Sequence, residues 1–165
     1  MTADFGLRGN IKNFISYDIS LFNLSYNDRI GFVQKLMKDG SVKTERGNVG
    51  NAKIFGIESL IDFNLKKIFF NKENYTLNYF INTSFIDSEY ISSEIPWIKG
   101  KKVEFVPKSN IKTGLRFGYN NFMLSAQYSY MSKQFTDSSN AISGNLSGVI
   151  GQIPAYKILD LSLSY

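Results

Sequence analysis

Apolar and polar residues alternate with a period of two in seven separate runs along the chain, while helical spacing is hard to find. Phe5, Leu7, Gly9 and Ile11 oppose Arg8, Asn10 and Lys12. Ile15, Tyr17, Ile19 and Leu21 oppose Ser16, Asp18 and Ser20. Phe55, Ile57, Ile61, Phe63 and Leu65 oppose Gly56, Glu58, Asp62 and Asn64. Tyr75, Leu77, Tyr79, Ile81 and Phe85 oppose Thr76, Asn78, Asn82 and Ser84. Ile111, Thr113, Leu115, Phe117 and Tyr119 oppose Asn110, Lys112, Gly114, Arg116 and Gly118. Phe122, Leu124, Ala126, Tyr128 and Tyr130 oppose Met123, Ser125, Gln127 and Ser129. Leu159, Leu161, Leu163 and Tyr165 oppose Asp160, Ser162 and Ser164. Successive side chains of a strand point to opposite faces, so each run predicts a strand with one apolar and one polar face. Leu60, Phe80 and Ile86 break the pattern on the polar face, and Ser59 and Thr83 on the apolar one.

Two architectures give such alternation. In a soluble sandwich the apolar face meets a second sheet; in a membrane barrel it meets lipid and the polar face lines the lumen. The connections separate them. Lys12-Asn13, Lys66–Asn74 and Asn120-Asn121 are short, the last being a two-residue turn of favourable chemistry. Asn27–Asn51, Asp87–Ser109 and Lys133–Ala155 are long, well beyond the roughly 12–15 residues usual for a structureless loop. Short and long alternate, as in outer-membrane barrels with tight periplasmic turns and long extracellular loops. A sandwich has no reason to gather every long loop at one end.

Aromatics agree with this arrangement. The chain carries 14 Phe, 10 Tyr and 1 Trp, which is 15% of its 165 residues. Tyr75, Tyr119 and Phe122 lie on the apolar face beside short turns, and Phe85, Tyr128 and Tyr130 lie on it near long loops. Rings at both ends fit girdles at the two membrane–water boundaries. No apolar run approaches the roughly 18 residues of a membrane-crossing helix. Seven strands do not close a bacterial barrel, which uses even numbers from about 8 upward. The chain also ends in mid-alternation at Leu163-Ser164-Tyr165 and shows no signal peptide at Met1-Thr2-Ala3-Asp4. The expectation is therefore part of a larger barrel.

Composition removes much chemistry. With no His and no Cys there is no imidazole or thiolate metal site, Ser-His-Asp triad, Cys nucleophile or disulfide. Glu58 and Asp62 lie about 13–14 Å apart along one strand face, too far for a glycosidase pair. Gly47-Asn48-Val49-Gly50 lacks the Lys-Ser/Thr of a phosphate-binding loop. No enzyme activity and no cofactor are expected.

Three stretches resemble TonB-dependent outer-membrane receptors. Arg46-Gly47-Asn48-Val49-Gly50-Asn51-Ala52-Lys53-Ile54-Phe55-Gly56-Ile57-Glu58 looks like an N-x-G-…-G-h-E strand entry, and Gly100-Lys101-Lys102-Val103-Glu104-Phe105-Val106-Pro107-Lys108 like the segment preceding a later strand. Gln134-Phe135-Thr136-Asp137-Ser138-Ser139-Asn140-Ala141 through Gly148-Val149-Ile150-Gly151-Gln152-Ile153-Pro154-Ala155-Tyr156 is similar to a region late in the barrel of ferric dicitrate receptors. The resemblance implies an all-β fold, an antiparallel up-and-down transmembrane barrel of about 22 strands filled by a plug. Residues 1–165 would be a partial barrel domain of about seven strands. The plug, TonB box and signal peptide would lie outside it. It further implies residence in the bacterial outer membrane and contact with its lipid and lipopolysaccharide. The intact protein would import an iron chelate, ferric citrate or a siderophore, with energy from the TonB system through the plug.

An anionic chelate calls for cationic and hydrogen-bonding groups on the extracellular loops. Lys101, Lys102, Lys133, Gln134 and Asn140 are the candidate ligand-binding residues, with Lys99 and Lys108 beside them and Arg46 and Lys53 at another loop end. Arg8, Asp18, Glu58, Asp62, Lys112 and Arg116 all fall on the polar phase, where they would face plug or lumen water. Two alternatives stand at this point. A plug-less porin or adhesin would share the alternation. A soluble basic domain binding nucleic acid would use the net charge of +5, but Lys112 and Arg116 oppose Phe117 and Tyr119, so nucleic acid is not expected as a partner.

Overall fold

The computed structural model describes residues 1–69, 74–145 and 150–165. The middle of the Lys66–Asn74 connection and the Gly148-Val149 step of the third motif lie outside the described residues. Seven antiparallel strands form one sheet in the order β1-β2-β3-β4-β5-β6-β9. They are β1 (Thr2–Ile11), β2 (Ile15–Leu36), β3 (Val42–Asn64), β4 (Tyr75–Ser92), β5 (Ser109–Tyr119), β6 (Phe122–Met131) and β9 (Tyr156–Ser164). One helical turn, α1 (Leu65–Phe69), follows β3, and β7 (Gln134–Phe135) pairs with β8 (Gln152–Ile153) as a separate ribbon. Each of the seven alternating runs became a strand, and the up-and-down order follows from the short and long connections.

The turns at the lower end are tight and stitched together. Lys12 and Asn13 take φ of 46° and 57°, and Phe14 N–H donates to Ile11 O at 2.8 Å, so this connection has three residues rather than two. Asn120, at φ 51°, turns the chain between Tyr119 and Phe122. Asn64 N–H reaches Phe14 O at 2.7 Å, and Asn120 N–H reaches Asn74 O at 3.2 Å, linking neighbouring turns. The row at the first turn runs through Ile15, Phe63 and Tyr79, while the row at the third runs through Tyr75, Tyr119 and Phe122, four residues lower on β4. Such a stagger tilts the strands, as a barrel wall requires.

The apolar phase forms one exposed face. Leu7 is 61%, Phe55 50% and Leu161 69% exposed. Its two polar exceptions lie directly opposite one another: Ser59 pairs with Thr83 in the ladder, and their hydroxyls bond at 2.7 Å. On the polar face, Arg8 pairs across to Asp18 at 2.5 Å, and Ser84 donates to Glu58 at 3.3 Å. Phe80 is there because its ring covers Gly114, where any Cβ would strike it, with the Arg116 guanidinium 5.1 Å above the ring.

The structure corrects one expectation. Residues 27–51 are not a structureless loop: β2 and β3 continue as a ladder to Leu36↔Val42, with Gly40 at φ 82° in the turn. The alternation was hidden by a bulge between Tyr26 and Arg29, where Asp28 adopts φ 52° and the register shifts. Above the bulge the phase inverts, so Ile30 points outward, 70% exposed, while Arg29 turns to the inner face.

Candidate functional site

The buried core sits at the upper end of the sheet, on its polar-phase face. Val49, Ala52, Ile54 and Tyr90 come from β3 and β4; Ile98 and Val103 come from the connection 93–108, which folds back across them. Ile86, anomalous in the alternation, is explained here: it packs against this core. The fold-back is held by main-chain bonds. Gly100, at φ 83°, donates to Tyr90 O at 2.8 Å, and Tyr90 N–H donates to Lys101 O at 2.9 Å. Ser93 Oγ donates to Val49 O at 2.5 Å and accepts from Ile95 N–H at 3.0 Å.

Glu104 enters this core as a carboxylate, 4% exposed. Its Oε2 accepts from Arg29 Nη1 at 2.5 Å and from Tyr90 OH at 2.6 Å, and Arg29 also donates to the Tyr90 oxygen at 2.6 Å. Oε1 is buried without a hydrogen bond, against Gly31, where a Cβ would collide with it. Burial, then the hydrogen bond and charge of Glu104, pushes the Tyr90 phenol well above its ordinary value. Burial works against the Arg29 charge, but Glu104 and Tyr90 outweigh it, and the guanidinium is held above its usual range. Three segments thus meet at one charged junction: the wall strands β2 and β4, and the segment 99–108.

The connection between β6 and β9 docks on the first. Phe105 N–H donates to Phe135 O at 2.8 Å. Asn140, at φ 54°, accepts from Lys102 N–H at 2.7 Å through Oδ1 and donates to Lys102 O at 2.9 Å through Nδ2. Buried Asp137 accepts from Ser139 N–H at 2.9 Å and from the Ser139 hydroxyl. Ser138 Oγ reaches Phe32 O on β2 at 3.2 Å.

A cavity of about 570 Å³ opens between the upper ends of β4, β5 and β6 and these two connections. Its charged groups are Lys102, Lys108, Lys133 and Asp87, with Gln134 between apolar walls from Ile86, Tyr130 and Phe135. Lys102 Nζ bonds Asp87 at 2.6 Å. That bond, with the charges of Lys102 and Lys108, holds the Asp87 carboxyl below its usual range against the effect of burial. Three cations against one anion leave the cavity positive.

Of the residues expected to bind ligand, the structure brings Lys102, Lys133 and Gln134 to this cavity, together with Lys108. Lys101 lies outside its lining, and Asn140 spends both ends of its amide on the Lys102 backbone. Arg46 lies elsewhere, 6.0 Å from the Phe32 ring, and Lys53 sits between Ser25 and Glu89 in the ladders. Sequence reasoning missed Arg29, Tyr90, Glu104 and Asp87. Glu104 carried a signal, a single carboxylate within Val103, Phe105 and Val106; its partner Arg29, 75 residues away, did not. Lower on the polar face, Asp18, Glu58 and Lys112 line a separate hollow of about 480 Å³. Among the described residues no group of His, Cys, Asp and Glu is placed to hold a metal.

The model of the family described as TonB dependent receptor-like, beta-barrel matches residues 1–165, the whole chain. The chain belongs to the TonB-dependent receptor-like β-barrel family. Its fold matches the unliganded ferric citrate transporter FecA with TM-score 0.74 at 19% identity, covering 96% of this chain and 22% of that one. It matches the ferric yersiniabactin uptake receptor FyuA from Yersinia pestis with TM-score 0.67 at 18% identity, over 98% and 21%, and the copper transporter OprC with TM-score 0.67 at 17% identity, over 97% and 22%. No curated protein sequence matches. The chain therefore spans about a fifth of the length of those structures, and its sheet matches a stretch of their barrels. Members of the family are outer-membrane transporters, not enzymes.

Proposed function

We propose that residues 1–165 form a wall segment, with two extracellular loops, of an outer-membrane receptor that imports an anionic iron chelate in a TonB-dependent manner. The plug and TonB box belong to other parts of the same protein, and energy from the TonB system reaches the barrel through that plug. The observation that carries this reading is the division of one sheet into an exposed apolar face and a polar face, with the long folded connections 93–108 and 132–155 both leaving its upper end. From Tyr75 to Phe85 the apolar face rises about 33 Å along β4, which at the usual barrel tilt is about 25 Å of height, the thickness of an outer-membrane apolar band. Tyr75, Tyr119 and Phe122 stand side by side at its lower border, where an aromatic girdle belongs. Lipid covers this face, and lipopolysaccharide surrounds its upper rim.

Ferric citrate is the chelate this reading favours. The 570 Å³ cavity is positive, and Lys102, Lys108, Lys133 and Gln134 offer donors to carboxylate oxygens. Asn140 serves the site by placing Lys102, and Lys101 contributes through the turn it closes. The direct test is deletion of the intact receptor gene, followed by growth under iron limitation with ferric citrate as the sole iron source. Growth restored by the receptor only when TonB is functional supports the proposal. Restoration independent of TonB, as for an open pore, overturns it. A receptor carrying Lys108→Ala and Lys133→Ala should then bind ferric citrate about tenfold more weakly, since two solvent-exposed charge contacts, each worth under about 1 kcal/mol, are lost.

A further inference from the structure

We propose that Glu104, with Arg29 and Tyr90, is a positioning device that fixes both loops in their folded-in state and so holds Lys102 and Lys108 at the cavity. The ligand of this device rests on the cavity reading above, and the device itself on geometry alone. Glu104 lies between those two lysines in sequence, two residues after one and four before the other. It is the charged residue of the segment that goes inward, 4% exposed, while both lysines stay exposed. Phe105, directly after it, takes φ 58°, a left-handed conformation that a bulky residue avoids unless its surroundings impose it. Its N–H is the bond to Phe135, so the anchor and the contact between loops are adjacent.

The parts of the junction depend on one another. A buried carboxylate is stable there because Arg29 neutralises it and Tyr90 donates to it. Gly31 leaves room for Oε1 where a side chain would not. Arg29 reaches inward only because the bulge at residues 26–29 inverts the phase of β2. The second loop is tied to the first through Asn140 and Phe105, so loss of the Glu104 anchor loosens 99–108 and, through those bonds, the stretch 135–140, against the main-chain bonds and the Ser138–Phe32 contact that remain. Neither Arg29 nor Tyr90 lines the cavity, so their effect on ligand runs through loop position.

The test uses the intact receptor in outer-membrane preparations, with ferric citrate as probe and three readouts: heat-modifiable gel mobility of the barrel, proteolysis within 93–108 and 132–155, and equilibrium affinity. Glu104→Ala should leave the barrel mobility unchanged, expose both loops to cleavage, and weaken binding in proportion to the fraction of open loops, about tenfold if nine in ten are open. Arg29→Met combined with Glu104→Leu removes both charges together and should restore loop protection and most of the affinity, because an apolar pair can replace a buried ion pair. Unchanged cleavage in Glu104→Ala overturns the device, as does a double variant cleaved as readily as the single one. A wild-type receptor that does not bind ferric citrate overturns the substrate reading instead, and the cleavage arms then decide the device by themselves.

Discussion

Strand β3 passes through two environments, and its inward side chains change character between them. In its upper part Ala52 and Ile54 point inward and are buried beneath the folded loop, and Gly56 is buried under the Phe22 ring, while Lys53, Phe55 and Ile57 point outward. Lower down, Glu58 and Leu60 take the same inward phase but line an open hollow, while outward Ile61 and Phe63 are apolar and Ser59 pairs its hydroxyl with Thr83. The backbone geometry is continuous across the change. What differs is the inner side: packed protein above, an open hollow below. Polarity along a barrel strand therefore reports what each face touches at each height, and a single rule of apolar outside and polar inside holds only in the lower region.

The sharpest way to break this contrast is one substitution on two adjacent residues of the lower region. Ile61→Lys places an ammonium on the outward face between Tyr17 and Ile81 and should cost about 2–4 kcal/mol, the range for a cation near the bilayer midplane. Leu60→Lys places the same group on the inner face opposite Asp18 and should stay within about 0.5 kcal/mol. Reversible unfolding of the intact receptor from lipid vesicles measures both, and equal costs would remove the lipid from the explanation.

Overpacking reverses the roles of the two faces. Ala52, fully buried under the loop, should not tolerate leucine, and Ala52→Leu should cost about 1–3 kcal/mol, seen first as cleavage of 93–108. Ala126, on the outward face between Leu115 and Leu161, should accept Ala126→Leu with little change, because no segment among the described residues folds across that face as the loop does over Ala52.

How much of this was legible in the sequence follows the same boundary. All seven strands and their facing were readable because a sheet with one apolar and one polar face imposes a clean period of two. Even the exceptions were informative: Ser59 and Thr83, both misplaced by the rule, satisfy each other across the ladder. Above the band the period fails for two physical reasons. A bulge at Asp28 inverts the phase of β2, and the inner face becomes apolar as Val49, Ala52 and Ile54 meet the loop. The cavity lining was half legible. Lysine clustering marked Lys102 and Lys133, but no local pattern marks Asn140 as a clamp on the Lys102 backbone, or Arg29 as the partner of Glu104 75 residues away.

The Ser59–Thr83 pair gives the next smaller effect. Ser59→Ala leaves the Thr83 hydroxyl on the lipid-facing side without its partner and should cost about 1 kcal/mol, whereas replacing both by alanine should be nearly neutral. A double-mutant cycle in vesicles measures the coupling. Additive costs would mean that the two hydroxyls do not satisfy each other.

The smallest effect belongs to the upper region and depends on pH. Lys102, through its hydrogen bond and charge, holds the Asp87 carboxyl below its usual range. A carboxylate depressed in the folded state contributes stability that is complete above its unfolded value of about 3.9 and is lost as pH falls through the lower folded value. The Asp87 side chain is 68% exposed and that of Lys102 46%, so solvent limits the contribution to about 0.5 kcal/mol. Cleavage of 93–108 by an acid-active protease should therefore rise slightly below pH of about 4. Asp87→Asn should lose that increment, because it has no carboxylate to protonate, and its cleavage at neutral pH should already match the acid value of the parent. The Arg29–Glu104 junction keeps the loop folded throughout, so a large rise confined to the parent would mean that the exposed pair, and not the buried one, holds the loop.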